Sequence, residues 1–207
     1  MASLYDRFIL PKLLGCACSS SPIMKQRAKV VPQATGRVLE LGIGLGLNLG
    51  FYDLDKVSSV TGVDPAAELR AAALAAPRDP GLAVSIEDGT AEALPFEDRS
   101  FDTVVCTFTL CSVRTPQAAL AEARRVLKPG GAFLFCEHGL APDAGVAKWQ
   151  RRIEPVWKRI AGGCHLTRPI ATAIAAAGFK LGKVDSMYVP KTPKIAAWNE
   201  WGAATPI

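Results

Sequence analysis

Three glycines at alternate positions, Gly42, Gly44 and Gly46, follow directly after the apolar run 37–41. The run predicts a buried strand, and residues 45–51 predict the beginning of a helix. Glycine lets the backbone turn sharply between the two, and it lets a bound molecule lie against the chain without meeting a Cβ atom. The segment therefore predicts a ligand-binding turn directly after a buried strand.

The spacing of these glycines separates several kinds of nucleotide-binding loop. The dinucleotide fingerprint places its third glycine one residue later than Gly46, and a nucleoside triphosphate loop requires a Gly-Lys-Ser/Thr that does not follow here. Glu40 stands two residues before Gly42, so the segment reads E-x-G-x-G-x-G. This pattern resembles the S-adenosylmethionine loop of class I methyltransferases. The resemblance implies that Glu40, the three glycines and Asn48 bind this cofactor.

A second strand, 59–63, ends in Asp64 and Pro65. Asp64 lies about twenty residues beyond the glycines, where nucleoside-binding α/β domains place an acid for the ribose hydroxyls. An ionised carboxylate only accepts hydrogen bonds, so it can hold both hydroxyls of the ribose. Asp followed by Pro is also a common helix start, so a helix-capping role for Asp64 stays open beside the ribose role.

A third apolar run, 82–86, leads into Gly89, Thr90, Ala91 and Glu92. This turn is similar to the adenine-binding G-D-A-E turn of class I methyltransferases, except that Thr90 replaces the aspartate. A hydroxyl can reach the adenine amino group but accepts more weakly, so Asp88 is a second candidate for part of that role.

Strands and helices alternate along the chain. The apolar runs predict strands at 37–41, 59–63, 82–86, 101–106 and 132–137, with helices near 46–52, 66–76 and 116–127. Such alternation indicates parallel strands joined by right-handed crossovers, which form a doubly wound, Rossmann-like sheet with helices on both faces. Segments 179–189 and 195–201 predict a C-terminal β-hairpin that completes this α/β fold.

A length of 207 residues suits one domain. We expect a helical extension or lid in 1–31, a cofactor-binding core in 37–138, and a substrate cover with the hairpin in 139–207. No apolar run approaches the ~20 residues of a membrane-spanning helix, so we expect a cytoplasmic protein. Cys16, Cys18 and the Cys164-His165 pair match no zinc spacing, so we expect free thiols and no metal.

A basic cluster occupies 148–159, where Trp149 and Trp157 stand among five lysines and arginines. The pattern predicts an amphipathic surface helix. It is typical of a solvated face, and an attraction to anionic lipid or to an acidic partner is the alternative. We expect at most peripheral membrane contact and no nucleic acid, and the oligomeric state stays open.

Two later segments, 104–113 and 162–168, make the resemblance specific to one subfamily. They look like the methyltransferase-like subfamily that contains the mammalian alkyl-thiol S-methyltransferases. The resemblance implies transfer of a methyl group to a small thiol such as hydrogen sulfide, methanethiol or another alkyl thiol. The mammalian members have an apolar N-terminal anchor, which the short extension here does not match. A phospholipid or other amine N-methyltransferase is the first alternative, and a non-catalytic cofactor-binding subunit is the second.

The catalytic candidates are the two histidines. His138 follows the fifth strand at the carboxyl edge of the sheet, where ligands of such folds bind. His165 lies in a glycine-containing turn of the expected substrate cover. Either imidazole could take a thiol proton, and either could instead cap a helix or link polar core groups.

Several further residues are expected near the acceptor. Thr107 and Cys111, just past the fourth strand, should border the reacting methyl group. Arg168 could pair with a substrate or cofactor carboxylate, or form a surface salt bridge. The expected substrate contacts also include Trp149, and a lid from Tyr5 and Phe8, which lie three residues apart and could instead only staple the extension.

Overall fold

A computed structural model describes residues 15–207 of the chain. Its seven strands form one sheet, and they are β1 Gly36–Leu41, β2 Val57–Asp64, β3 Val84–Asp88, β4 Phe101–Thr107, β5 Leu127–His138, β6 Phe179–Tyr188 and β7 Trp198–Pro206. Residues 15–18 are helical, and the α-helices that follow them are α1 Ser21–Arg27, α2 Ala67–Leu74, α3 Pro116–Val126, α4 Ala144–Ile160, α5 Ile170–Ala176 and α6 Lys194–Ala197. Short 3₁₀ helices occupy Val31–Gln33 and Leu49–Phe51.

The strand order is β3-β2-β1-β4-β5-β7-β6. Strands β1 to β5 are parallel, whereas β7 runs antiparallel between β5 and β6. The predicted doubly wound sheet and C-terminal hairpin are therefore confirmed. The chain reverses its direction of winding between β1 and β4, and ligands of open α/β sheets bind at the carboxyl ends of strands beside such a point.

The sheet is covered on both faces because successive side chains of a strand point to opposite sides. Leu39 and Val104 belong to one buried cluster, with residues of α3 and α5. Val38 and Val105 belong to another, with residues 30–34 and α2. Both faces of β1 and β4 are thus apolar, as expected of central parallel strands.

The predicted helix at 46–52 is wrong. Residues 44–48 form turns, and only the 3₁₀ helix Leu49–Phe51 follows. Gly44 and Gly46 have φ values of +54° and +71°, which a right-handed helix cannot contain. The side chain of Asn48 is hydrogen-bonded into the sheet, which further fixes this irregular turn.

The first residues of β3 and β5 differ from the predicted ones by two and five positions. β3 begins at Val84 where 82 was predicted, and β5 begins at Leu127, directly after α3, where 132 was predicted. Within the described part of the expected extension, α1 and the 3₁₀ helix Val31–Gln33 are separate, each with a proline in its first turn. Tyr5 and Phe8 lie outside the described residues. Between 15 and 207, no helix is long and apolar enough to cross a membrane.

Candidate active site

A cavity of about 930 Å³ opens at the carboxyl ends of β1, β2 and β4. This volume lies in the range of about 300–1,000 Å³ typical of small-molecule sites. Of the residues predicted to bind a cofactor, those that line the cavity are Gly42, Gly44, Asp64, Pro65, Thr90, Ala91, Glu92 and Thr107.

The glycine loop forms one wall of this cavity. At Gly42 (φ +65°), a Cβ atom would lie 2.6 Å from the side chain of Thr109. At Gly44 (φ +54°), the nearest atom to such a Cβ would be 3.8 Å away, so bare backbone faces open space. Gly46 instead packs against α2, where a Cβ would lie 2.8 Å from Ala76. The first two glycines therefore shape the binding surface, and the third seats the loop on a helix.

Asp64 joins this loop to the end of β2. Its Oδ2 accepts a hydrogen bond from the Gly44 N–H at 3.1 Å, and its Oδ1 accepts one from the Ala66 N–H at 2.9 Å. Burial raises the pKa of Asp64, although both N–H donors and Arg70 oppose this rise. Asp64 thus lies just before α2 and also lines the cavity, and each oxygen keeps a lone pair for a ligand hydroxyl.

The turn after β3 borders the other side of the cavity. Glu92 accepts hydrogen bonds from the backbone N–H groups of Arg114 and Thr115, at 2.7 and 3.2 Å, and so fixes the segment before α3. Asp88, the second candidate for the adenine contact, forms an ion pair with Arg70 at 2.8 Å. It is not among the described residues that line the cavity.

Glu40 and Asn48 lie behind the loop in a buried polar network. Glu40 accepts hydrogen bonds from the Tyr52 hydroxyl at 2.6 Å and from Asn48 Nδ2 at 2.9 Å. Burial raises the pKa of Glu40 to about 7, although these bonds and Arg27 oppose it. Asn48 Nδ2 also lies 2.9 Å from Thr107 Oγ1, which does line the cavity. The two predicted cofactor residues therefore support the wall from behind.

Arg27 lines the cavity although the sequence did not predict it there. It is only 6% exposed. Its guanidinium donates to Asn48 Oδ1 at 3.0 Å and Thr107 Oγ1 at 2.5 Å, and it lies 5.0 Å from the centre of the Phe108 ring. Its buried Nε has no hydrogen-bond partner among residues 15–207. A mostly buried cation at a cavity wall suits an anionic ligand group.

The loop after β4 is held from two sides. The Glu137 carboxylate accepts hydrogen bonds from the N–H groups of residues 109–111 at 2.6 to 3.2 Å. Arg168 donates to the carbonyl of Leu110 and, at 2.6 Å, to that of Val113. The sequence left two possible partners for Arg168, a ligand carboxylate or a surface salt bridge. In the structure its guanidinium donates to the two loop carbonyls, and Arg168 is not among the described residues that line the cavity.

The two histidines lie beside the cavity, and neither is among its described lining residues. His138 Nε2 is 2.7 Å from the Cys164 sulfur. The neighbouring Cys111 thiol and burial hold the pKa of Cys164 well above its ordinary value. His165 Nδ1 is 3.0 Å from the Glu154 carboxylate, and the His165 N–H donates to the Cys111 carbonyl at 2.8 Å.

Neither of the remaining substrate candidates, Cys111 and Trp149, is among the described residues that line the cavity. Cys111 is buried, and its sulfur lies 3.4 Å from the Ser112 hydroxyl, whose residue lines the cavity. Trp149 is 55% exposed on α4, where Arg152 stacks at 5.5 Å from its ring centre. Trp149 is absent from the described part of the cavity wall. Cys18, which sequence reasoning did not place here, does line it.

Comparison with known proteins gives matches over most of the chain. A family model described as a methyltransferase domain matches residues 39–135. Thiol S-methyltransferase TMT1B of Rattus norvegicus is 41% identical over 146 residues, which are 69% of this chain and 59% of that protein. Human thiol S-methyltransferase TMT1A is 32% identical over 191 residues, 84% of this chain and 72% of that protein. The match to the rat protein therefore spans about three fifths of its length.

Two further matches are to another curated protein and to a solved structure. Phosphatidylethanolamine N-methyltransferase of Cereibacter sphaeroides is 36% identical over 155 residues, 72% of this chain and 75% of that protein. A chain from the complex between the Haloferax volcanii Trm112 methyltransferase activator and a methyltransferase superposes with a TM-score of 0.75. It covers the whole of both chains at 19% identity, so this last likeness concerns the fold alone.

Proposed function

This chain belongs to the family of methyltransferase domains, and we propose that it transfers the methyl group of S-adenosylmethionine to a small thiol. The observation that carries the proposal is the arrangement of three groups around one cavity. Gly44 offers bare backbone, Asp64 offers carboxylate oxygens, and Arg27 offers a mostly buried cation at the cavity wall. Each suits a different part of the same molecule.

We assign these groups to the cofactor as follows. Asp64 accepts from the ribose hydroxyls, while Thr90, Ala91 and Glu92 border the adenine. Arg27 holds the methionine carboxylate, in place of Arg168, whose guanidinium already donates to two loop carbonyls. A charge-assisted pair of this kind is stronger than a neutral hydrogen bond, which makes Arg27 the main anchor of the methionine end.

When bound, S-adenosylmethionine supplies a methyl group already activated by its sulfonium charge. The chain has to exclude water and align the acceptor, because orientation accounts for much of the rate of such a transfer. A thiol suits this site because its thiolate is a strong nucleophile, and a cysteine-like thiol is already a few per cent thiolate at neutral pH. The buried loop held by Glu137 and Arg168 provides the fixed wall for this alignment.

The experiment is methyl transfer from labelled S-adenosylmethionine to hydrogen sulfide, methanethiol and larger alkyl thiols, with products identified by mass. We expect thioether formation by the wild-type protein. Arg27→Met should lose most cofactor affinity in calorimetry, whereas Lys25→Met, an exposed cation on the same helix, should retain it. Binding without any methylated thiol would refute the acceptor and favour a non-catalytic cofactor-binding subunit.

A phospholipid amine is the second candidate acceptor. Two observations favour it, namely the match to a phosphatidylethanolamine N-methyltransferase and the exposed apolar side chains of Trp149 and Val156 on the basic helix α4. Such a helix can lie on an anionic bilayer. Changing Arg151, Arg152 and Arg159 together to Glu should leave methylation of soluble thiols intact. If transfer to vesicles of phosphatidylethanolamine occurs and is lost in this variant, the lipid function is correct instead.

We also infer the layout and compartment of this enzyme. Residues 37–138 hold the cofactor together with Arg27, and 139–207 cover the acceptor. All six cysteines are free thiols, which fits a reducing compartment such as the cytoplasm. Fractionation of the cells that make the protein tests this assignment.

A further inference from the structure

Three soft donor groups meet beside the cavity. Cys111 comes from the loop after β4, His138 from the end of β5, and Cys164 from the turn after α4. Their two sulfurs and one imidazole nitrogen all lie within 4.8 Å of one another. Two thiols and an imidazole form a ligand set typical of zinc.

The imidazole of His138 is not fully satisfied. Its Nε2 lies 2.7 Å from the Cys164 sulfur, while its buried Nδ1 has no hydrogen-bond partner in the described part of the chain. A neutral ring either donates from Nε2 or accepts there, and in both cases Nδ1 stays unpaired. Leaving a buried polar group unpaired costs about 1–3 kcal/mol. The Nε2 atom, which faces the Cys164 sulfur, is the nitrogen placed to bind a ligand, and Nδ1 then carries the ring proton.

We propose that Cys111, His138 and Cys164 bind Zn²⁺, or a similar thiophilic divalent cation, and leave its fourth position open to a thiolate. Zinc lies about 2.3 Å from sulfur and about 2.0 Å from nitrogen, so tetrahedral ligands stand roughly 3.5–3.8 Å apart. The three donors reach this spacing through shifts of about 1 Å. The His138–Cys164 contact lengthens, and the Cys111 and Cys164 sulfurs turn towards a common centre.

The charges balance in this arrangement. As the cation binds, both thiols release their protons to solvent, and the imidazole stays neutral. Two thiolates then cancel the two positive charges, so the buried cluster carries no net charge. No group changes its oxidation state.

The cluster lies directly behind the cavity wall, and none of its three residues is among the described residues that line the cavity. The Ser112 hydroxyl lies 3.4 Å from the Cys111 sulfur, and Ser112, Gly162 and Cys18 all line the cavity. The role of the fourth position rests on the proposed function. A thiol bound there loses its proton, and its sulfur forms the new S–C bond. The methyl–sulfonium bond breaks, and its electron pair stays on the departing sulfur.

Cobalt substitution tests the metal site without any measurement of activity. Purified protein, reduced with a phosphine and freed of metal with a chelator, is titrated with Co²⁺. We expect one equivalent to bind and to give the thiolate-to-cobalt absorption and the intense visible bands of a tetrahedral site. Cys164→Ser and His138→Ala should lose most of this absorption, whereas Cys16→Ser, which removes an exposed thiol, should keep it. Wild-type absorption no stronger than that of Cys164→Ser would overturn the metal site.

A measurement on the wild-type protein alone covers the case in which a variant does not fold. Zn²⁺ should protect Cys111 and Cys164, but not Cys16, from alkylation as mapped by mass spectrometry. Equal labelling with and without Zn²⁺ would overturn the site. Adding 2-mercaptoethanol to the cobalt protein should shift the visible bands, and an unchanged spectrum would overturn the open fourth position. Calorimetry of the wild-type protein with S-adenosylmethionine, with and without Zn²⁺, separates these failures from a failure of the proposed function, because cofactor affinity should not depend on the metal.

Discussion

Replacing Glu40 with glutamine should remove a large part of the pH dependence of stability. Glu40 is 2% exposed, and its carboxyl oxygens face Tyr52 and Asn48. Burial raises its pKa from an ordinary 4.5 to about 7. Glutamine has the shape of the protonated carboxyl, with its oxygen towards Asn48 and its amide towards the tyrosine. The variant therefore represents the neutral form at every pH.

The sign and size follow from proton linkage. Between the two pKa values the folded protein binds the Glu40 proton and the unfolded chain does not, so the free energy of unfolding falls as pH rises. Below 4.5 both states carry the proton, and above about 7 the folded state holds a buried carboxylate. At about 1.4 kcal/mol per pKa unit, the full loss is about 3 kcal/mol, of which about 2.5 kcal/mol falls between about pH 5 and about pH 8.

The assay is urea unfolding followed by tryptophan fluorescence across this pH interval. The stability of Glu40→Gln relative to wild type should rise by about 2.5 kcal/mol from the acidic to the alkaline end. Other groups that titrate in both proteins cancel in this difference. Glu87→Gln, at an exposed position on β3, should follow the wild-type curve. Parallel curves for wild type and Glu40→Gln would refute the reasoning.

Three further variants test the site. Asp64→Ala should weaken S-adenosylmethionine binding by about 2–3 kcal/mol in calorimetry, because the ribose hydroxyls lose a charged partner. The exposed Asp55→Ala is its control, and unchanged affinity would leave Asp64 only its hydrogen bonds from the Gly44 and Ala66 N–H groups. Gly44→Val should reduce the affinity for S-adenosylmethionine at least about tenfold, since the valine side chain would enter the cavity from a backbone at φ +54°. Full affinity would contradict the placement of the cofactor against this loop. Arg168→Met should lower the free energy of unfolding by about 2–3 kcal/mol, because two carbonyls lose a charged donor; a change in cofactor affinity with unaltered stability would instead support the carboxylate role.

The fold was predictable because its signals are local. The apolar runs that became β1, β2 and β4 are buried on both faces, and such runs stand out in a sequence. The loop helix was wrong because glycine spacing shows where the backbone turns but not which φ values it adopts. Gly44 and Gly46 both have positive φ values, and the helix could not form through them.

Only part of the candidate site was predictable from the sequence, and it was again the part with local signals. The glycine loop and Asp64 follow from a spacing of about twenty residues within one strand–turn–strand unit. Arg27 could not be found in this way, because it meets Thr107, 80 residues further along the chain. On a short polar helix it reads as a surface charge. Cys111, His138 and Cys164 likewise come from three separate segments, and no sequence spacing predicts their meeting.

Single-turnover methyl transfer tests the central claim most directly. Equimolar protein and S-adenosylmethionine with a deuterated methyl group would be mixed with methanethiol, and the volatile product would be analysed by mass spectrometry. We predict dimethyl sulfide carrying the intact deuterated methyl group, with no label left on any cysteine of the protein. Label that stays on the cofactor, or that appears on the protein in place of the thiol, would contradict the account.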